Sequence, residues 1–334
     1  MQISCAFAPS KATPDHIALA EELGYRRAWC YDSPALYHDV WATLALAAVR
    51  TTRIGLGPAV LVPSLRHPMV NAAAIANLVD LAPGRVAAAL GAGFTGRMVI
   101  GQRPMPWAQV ERYVVALQAL LRGDDAEWEG TWSRMLHPEG FGGARPLEVP
   151  ILIGADGPRG FAVAERRGDG VFCAGFWQPA AAVVDWRALL QFGTVLEEGE
   201  SPDSSRVQAA AGPAVAVMYH GLYVRAGGEA VLNLPGGAQW LAGIEQVPEH
   251  LRHLAVHEGH LVAANAHDVA AWEAGGSALA GMAGLTGTAA EVRAKVDQLE
   301  ADGVTEIAYG PAGPDIPREL RAFAEAAGVA GSPA

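Results

Sequence analysis

The feature that most constrains this chain is a rhythm. Short β-rich runs recur eight times, at residues 3–8, 27–32, 53–60, 85–90, 150–154, 170–174, 214–219 and 305–309, with helical patterns between them. The helix signals are physical. Thr13-Pro14-Asp15 sets a cap and a first-turn proline, and Gly24 closes that helix. Similar patterns predict helices over 39–50, 107–122, 158–167, 180–198, 288–302 and 318–327, and one from Pro68 that stops before Pro83-Gly84. Eight strand-then-helix units predict a (β/α)8 TIM barrel, because a doubly wound sheet usually stops at five to seven strands. Residues 128–149 break the rhythm with Gly, Pro and aromatics and read as a hairpin or irregular excursion. Residues 220–285 read as an insertion between strand 7 and the last βα unit, helical around 247–264. The 334 residues are therefore expected to form one enlarged barrel domain, 1–334.

Composition narrows the function. Hydrophobic residues make up 51% and charged residues 18%, which excludes a disordered or fibrous chain. The net charge is −11 with no basic stripe, so nucleic acid is not an expected partner. Phosphate contacts must then come from backbone N–H groups and helix ends. Cys5, Cys30 and Cys173 are odd in number and widely spaced, which supports neither a disulfide framework nor a zinc ribbon. There is no basic n-region at the start and no membrane-length apolar run, so the expectation is a cytoplasmic protein without a membrane partner.

In such a barrel the active site lies at the carboxyl ends of the strands. Here those ends carry mostly Gly, Ala and Pro, as in Gly91-Ala92-Gly93 and Gly154-Ala155-Asp156-Gly157. Small residues admit a large flat ligand close to the backbone. No convergent His and carboxylates support a metal hydrolase, and no GxSxG elbow supports a serine hydrolase. Gly91-x-Gly93-x-x-Gly96 matches a dinucleotide fingerprint, but it follows the fourth run, and Pro104 and Pro106 interrupt the helix that should come next. The loop 154–158 leaves a strand and opens a helix. It reads either as a phosphate cradle or as a turn in which Asp156 caps the helix. His250, His253, His257 and His260 fall on one stripe of the helical pattern; over that length they cannot all reach one ion, and a solvated or substrate-gating face is expected in place of a metal.

Three stretches carry a family resemblance. "WCYDSPALYHDVWATLALAA" (29–48), "RIGLGPAVLVPSLRHPMVNAAAIANLVDLAPGRVAAALGAGFTGR" (53–97) and "PILIGADGPRGFAVAERRGDGVF" (150–172) resemble the bacterial luciferase-like superfamily. Within it they are most similar to the methylenetetrahydromethanopterin reductase-like, coenzyme F420-dependent oxidoreductases. The resemblance implies a flavin or deazaflavin across the carboxyl face. A bulge at Ala59 and Val60, often with a non-prolyl cis peptide, would support the ring. Asp32 matches the strand-two acid, Ala92 and Gly93 the loop beside the ring, and Ala155, Asp156, Gly157 and Pro158 the phosphate cradle, with the Asp156 side chain turned away. The chain departs from the family pattern in two places. Ser33 stands where many members have His, and Phe94 where the sugar-phosphate dehydrogenase branch has a catalytic Glu. This leaves Ser33 and His38 as candidate proton donors, and Tyr37, Trp41, Phe94, Tyr219 and His220 as candidate substrate-pocket residues. The implied reaction is hydride transfer between F420 and an unsaturated small organic substrate. The alternatives are an FMN-dependent monooxygenase using reduced flavin and oxygen, and a cofactor-binding barrel without turnover. The family resemblance also implies a homodimer.

Overall fold

The computed structural model describes residues 1–138 and 140–329. Glu139 and residues 330–334, which the sequence reading includes in the same domain, lie outside the described residues. The barrel strands are β1 (Gln2–Phe7), β2 (Arg27–Cys30), β3 (Gly55–Pro58), β4 (Ala88–Gly91), β5 (Ile151–Gly154), β6 (Gly170–Ala174), β7 (Trp186–Phe192) and β8 (Glu306–Gly310). The main helices are α1 (Thr13–Leu23), α2 (Val40–Ala48), α3 (Pro68–Leu81), α4 (Trp107–Arg122), α5 (Pro158–Arg167), α6 (Ser205–Ala226), α7 (Ala289–Ala301) and α8 (Ile316–Ala327). All eight strands pair in parallel in the order β3-β2-β1-β8-β7-β6-β5-β4.

Two isolated bridges, Leu56 to Val86 and Leu61 to Leu90, close the sheet between β3 and β4 into a (β/α)8 barrel. The closure is tight at Gly57, where a Cβ would sit 1.9 Å from the Ala87 carbonyl oxygen, so only glycine fits. Between the bridges the Ala59–Val60 peptide is cis, at the position the family resemblance indicated.

Packing explains why these strands read as unbroken apolar runs. They are covered by helices outside and filled by side chains inside, so both faces are buried. Ala6, Trp29, Ala89, Leu152, Phe172 and Ala308 belong to the inner layer. An acidic and a basic side chain are buried beside them. Glu306, at the start of β8, accepts hydrogen bonds from Trp29 Nε1 at 2.9 Å and Trp186 Nε1 at 2.6 Å, while the Arg27 guanidinium lies over both indoles. Outside, Asp39 caps α2 through the Ala42 N–H, and Thr288 and Glu291 form a capping box on α7.

The seventh unit differs from the sequence reading. The run 214–219 is not a strand but lies inside the 22-residue helix α6, and the expected helix over 180–198 contains β7. Ala-Val-Ala-Val-Met-Tyr has strand composition, and Pro213 before it marks a helix break; the long helix nonetheless runs through that proline. Trp-Arg-Ala-Leu-Leu-Gln-Phe, by contrast, is a strand buried on both sides and lacks the alternation that would reveal it. The sixth unit keeps only the 3-10 turn Pro179–Ala181 in place of a helix.

The insertion therefore begins with α6 and continues through helices at Gly237–Glu245, Arg252–His257 and Ala266–Glu273 before α7. It has its own apolar cluster, built on Val215, Tyr219, Trp240, Ile244 and Trp272. The irregular stretch at 128–149 does contain a small antiparallel hairpin edge, Ala126–Trp128 with Thr131–Ser133. All three cysteines are free and buried. Among the described residues no helix is long and apolar enough to cross a membrane.

Candidate active site

The carboxyl ends of the strands surround a cleft of about 290 Å³. Its floor follows from the small residues at those ends. Val60 leans inward between β4 and β5, and a Cβ on Gly154 would fall 2.4 Å from its Cγ1, and one on Gly91 3.0 Å from its Cγ2. Glycine at both positions lets one branched side chain form a shallow apolar platform, with Tyr31, Phe172 and Leu190 completing the lining beneath. Ala92 and Gly93 border the same cleft. Gly93 has φ 78°, a left-handed conformation that opens the short helix Phe94–Met98.

Asp32 sits at the rim with its side chain almost wholly buried. Arg66 Nη1 donates to both carboxylate oxygens, at 2.8 and 2.7 Å, and Nη2 reaches Asp39 at 3.0 Å. Burial pushes the Asp32 carboxyl above its ordinary range, and the hydrogen bonds and charge of Arg66 offset part of that rise. The 63–67 loop that carries Arg66 is itself held by a relay. Trp41 Nε1 donates to Asn71 Oδ1, Asn71 Nδ2 donates to the Tyr113 hydroxyl, and that hydroxyl donates to the Arg66 carbonyl. Sequence reasoning missed Arg66; its only signal is its place inside the Pro63-x-x-x-His67-Pro68 motif.

The 154–158 loop leaves β5 and opens α5, so the first-turn N–H groups of α5 point toward its end. Gly157 is extended, with φ −175°, and nothing lies within 4 Å of where its Cβ would be. That open space beside a helix N-terminus suits an anion. The Asp156 side chain does not cap α5. Its Oδ1 accepts the Ala174 N–H at 2.8 Å, across the loop at the end of β6. Desolvation by the surrounding loop pushes this carboxyl up to about 6, against the Ala174 hydrogen bond and the charge of Arg225, although the residue is exposed to solvent.

The insertion supplies the facing wall. His260 and Leu261 border the cleft, and the Tyr37 hydroxyl donates to the His260 carbonyl. Thr95 Oγ1 lies 3.3 Å from His260 Nε2. Phe94 stands at the mouth with the Arg225 guanidinium 5.7 Å above its ring.

Of the residues singled out from sequence, Asp32, Ser33, Tyr37, Ala59, Val60, Ala92, Gly93, Phe94, Ala155 and Asp156 meet in this cleft. Gly157 and Pro158 continue the loop just outside it. His38 is exposed and not part of the lining, and Trp41 supports the 63–67 loop from behind. Tyr219 and His220 are not at a strand end. Both lie on α6, Tyr219 stacked on Trp240 with its hydroxyl donating to the Pro235 carbonyl, and His220 behind His260. The histidine stripe is broken as well, because the helix ends at His257 and Gly259 takes φ 71°. His250 is exposed, whereas His257 and His260 are buried.

The family model for luciferase-like monooxygenases matches residues 6–306. The chain belongs to that family. Among curated relatives, an F420-dependent glucose-6-phosphate dehydrogenase of Beutenbergia cavernae is 37% identical over 141 residues, 39% of this chain and 40% of that protein. A 5,10-methylenetetrahydromethanopterin reductase of Methanolobus tindarius is 29% identical over 163 residues, 46% of this chain and 47% of that one. The matched region thus spans less than half the length of either relative. Among solved structures, the coenzyme F420-dependent tetrahydromethanopterin reductase of Methanopyrus kandleri superposes with TM-score 0.67 at 19% identity, covering 97% of this chain and 98% of that chain. A monooxygenase from Streptomyces bottropensis gives TM-score 0.59 at 20% identity, covering 97% and 98%. At these identities the likeness shows the fold.

Proposed function

We propose that this chain is an F420-dependent oxidoreductase that transfers a hydride between the deazaflavin and an unsaturated small organic substrate. The observation that carries the reading is the cleft floor. Val60 between Gly91 and Gly154 is a flat apolar seat at the strand ends, and the open 154–158 loop lies beside it for a phosphate. The F420-dependent relatives support the same reading.

The group, when bound, would supply the hydride. The protein's own work is then positional. Gly91, Ala92, Gly93 and Gly154 keep the seat shallow, and the α5 N-terminus holds the anion. The Asp32–Arg66 pair fixes the rim, and His260, Leu261 and Phe94 close the substrate side against water. Ser33 borders the cleft and is the residue we assign to deliver a proton to the substrate; His38 lies outside the lining. Phe94 leaves no carboxyl at its position, which favours an unsaturated substrate over a sugar alcohol that needs a general base.

Titrating the purified protein with F420 and with FMN tests this reading. Saturable F420 binding, with oxidation of the reduced coenzyme by an unsaturated acceptor and no oxygen uptake, is the expected result. Preference for FMN with oxygen consumption would replace it with the monooxygenase reading. Binding without turnover across an acceptor panel would leave a non-catalytic cofactor-binding barrel.

A further inference from the structure

The four histidines of the sequence stripe resolve into something else once the fold brings His220 to them. His220 from α6, His257 from the end of the Arg252–His257 helix and His260 from the following turn come together, with one ring nitrogen of each within 4.8 Å of the others. All three side chains are buried, at 1%, 1% and 8% exposure. We propose that His220, His257 and His260 form a binding site for a divalent cation of the zinc type, with three imidazole nitrogens as ligands and a fourth position left for solvent.

Hydrogen bonding selects the ligand atoms. His220 Nε2 lies 3.2 Å from Asp268 Oδ1, and that carboxylate also accepts the Trp240 indole N–H and is held in the capping box with Asn265. A carboxylate can only accept, so His220 Nε2 carries a proton and donates it, which leaves Nδ1 to offer its lone pair inward. This carboxylate–histidine arrangement is the usual support behind a metal-bound imidazole. His260 Nε2 faces Thr95 Oγ1, which leaves its Nδ1 inward as well. The two Nδ1 atoms stand 3.2 Å apart. Two nitrogens bound to one tetrahedral zinc at about 2.0–2.1 Å are about 3.3 Å apart, so the pair is spaced as ligands are.

His257 supplies the independent observation. Both its ring nitrogens are buried without any partner among the described residues. An imidazole with neither nitrogen satisfied is costly in a protein interior, and a metal bond would satisfy one of the two. Three imidazole nitrogens suit zinc, and equally nickel or copper, over magnesium or calcium. The site would fasten α6 to the 257–261 turn, and that turn is a wall of the cleft.

Cobalt(II) added to the metal-stripped protein is the test, because tetrahedral cobalt gives strong visible ligand-field bands that scattered surface histidines do not. One equivalent should bind with those bands, zinc should displace it, and elemental analysis of protein made in zinc-supplemented medium should find about one zinc per chain. His257→Leu should abolish the bands while leaving the stripped protein folded and no less stable, because it removes two unsatisfied buried nitrogens. His250→Ala, on the exposed side, should bind as the parent does. Absence of stoichiometric uptake by the parent, or equal uptake by His257→Leu, would overturn the proposal.

Discussion

Replacing Arg66 with Met isolates the electrostatics of the cleft rim. The substitution keeps most of the aliphatic stem and removes the guanidinium that bridges both oxygens of Asp32. The two side chains are 1% and 14% exposed, so this is a buried pair and surface-pair values do not apply. Stranding one partner of a buried pair costs about 3–5 kcal/mol, whereas the outer contact to the exposed Asp39 adds about 1 kcal/mol at most. Urea unfolding followed by tryptophan fluorescence at about pH 8 should therefore show a loss of about 3–5 kcal/mol. The pH dependence has a definite sign. The Asp32 carboxyl is already raised by burial, and losing Arg66 raises it further. A folded-state carboxyl above its unfolded value stabilises most below the unfolded pKa and loses that contribution as pH rises through the folded one. The gap between variant and parent should thus narrow as pH falls and the stranded carboxyl takes up a proton. Adding Asp32→Asn to Arg66→Met should recover most of the loss. A pH-independent deficit below about 1 kcal/mol would refute the reasoning, because it would make the contact equivalent to a surface pair.

Three further outcomes follow from the same geometry. Gly157→Asp has room for its side chain and an unstrained φ, so it should fold normally yet weaken binding of a phosphate-bearing cofactor in a fluorescence titration; unchanged affinity would remove the loop from the site. Glu306→Leu strands the buried indole N–H of Trp29, at a cost of about 1–3 kcal/mol, and removes the acceptor of half-buried Trp186, so denaturant unfolding should show a deficit in that range or above. Asp156, with its carboxyl raised to about 6, should make the folded state slightly more stable below about pH 4 than above pH 6, an effect reduced by its solvent exposure; Asp156→Asn should flatten that part of the pH–stability curve.

How much of this was legible in the sequence depended on whether the signal was local. The 107–122 and 158–167 helices needed only their proline, glycine and spacing, and the structure has them at those bounds. The barrel followed from counting units, even though one strand was misplaced. That misplacement shows the limit of local signals, since Ala214 to Tyr219 prefers a strand by composition but is held in α6 by its packing against the insertion helices. The cleft floor was half readable. Small residues at strand ends pointed to a shallow floor, but the seating of Val60 between Gly91 and Gly154 is a relation among three strands that no window of sequence contains. Arg66 and the approach of His220 to His260 are relations of the same kind, across 34 and 40 residues of chain.

The separate apolar cluster of the insertion has a consequence for how such a protein can change. Tyr219, Trp240 and Trp272 bury one another without joining the barrel's own core, so substitutions among them should add independently of substitutions in the barrel. Yet the same segment carries His260 and Leu261, which border the cleft. One side of the cleft thus belongs to a unit that can be remodelled or exchanged, and the other to the closed sheet. Under the proposed function, mutation can redraw the substrate side residue by residue while the cofactor seat stays fixed, so new specificities are open to this barrel without a new core.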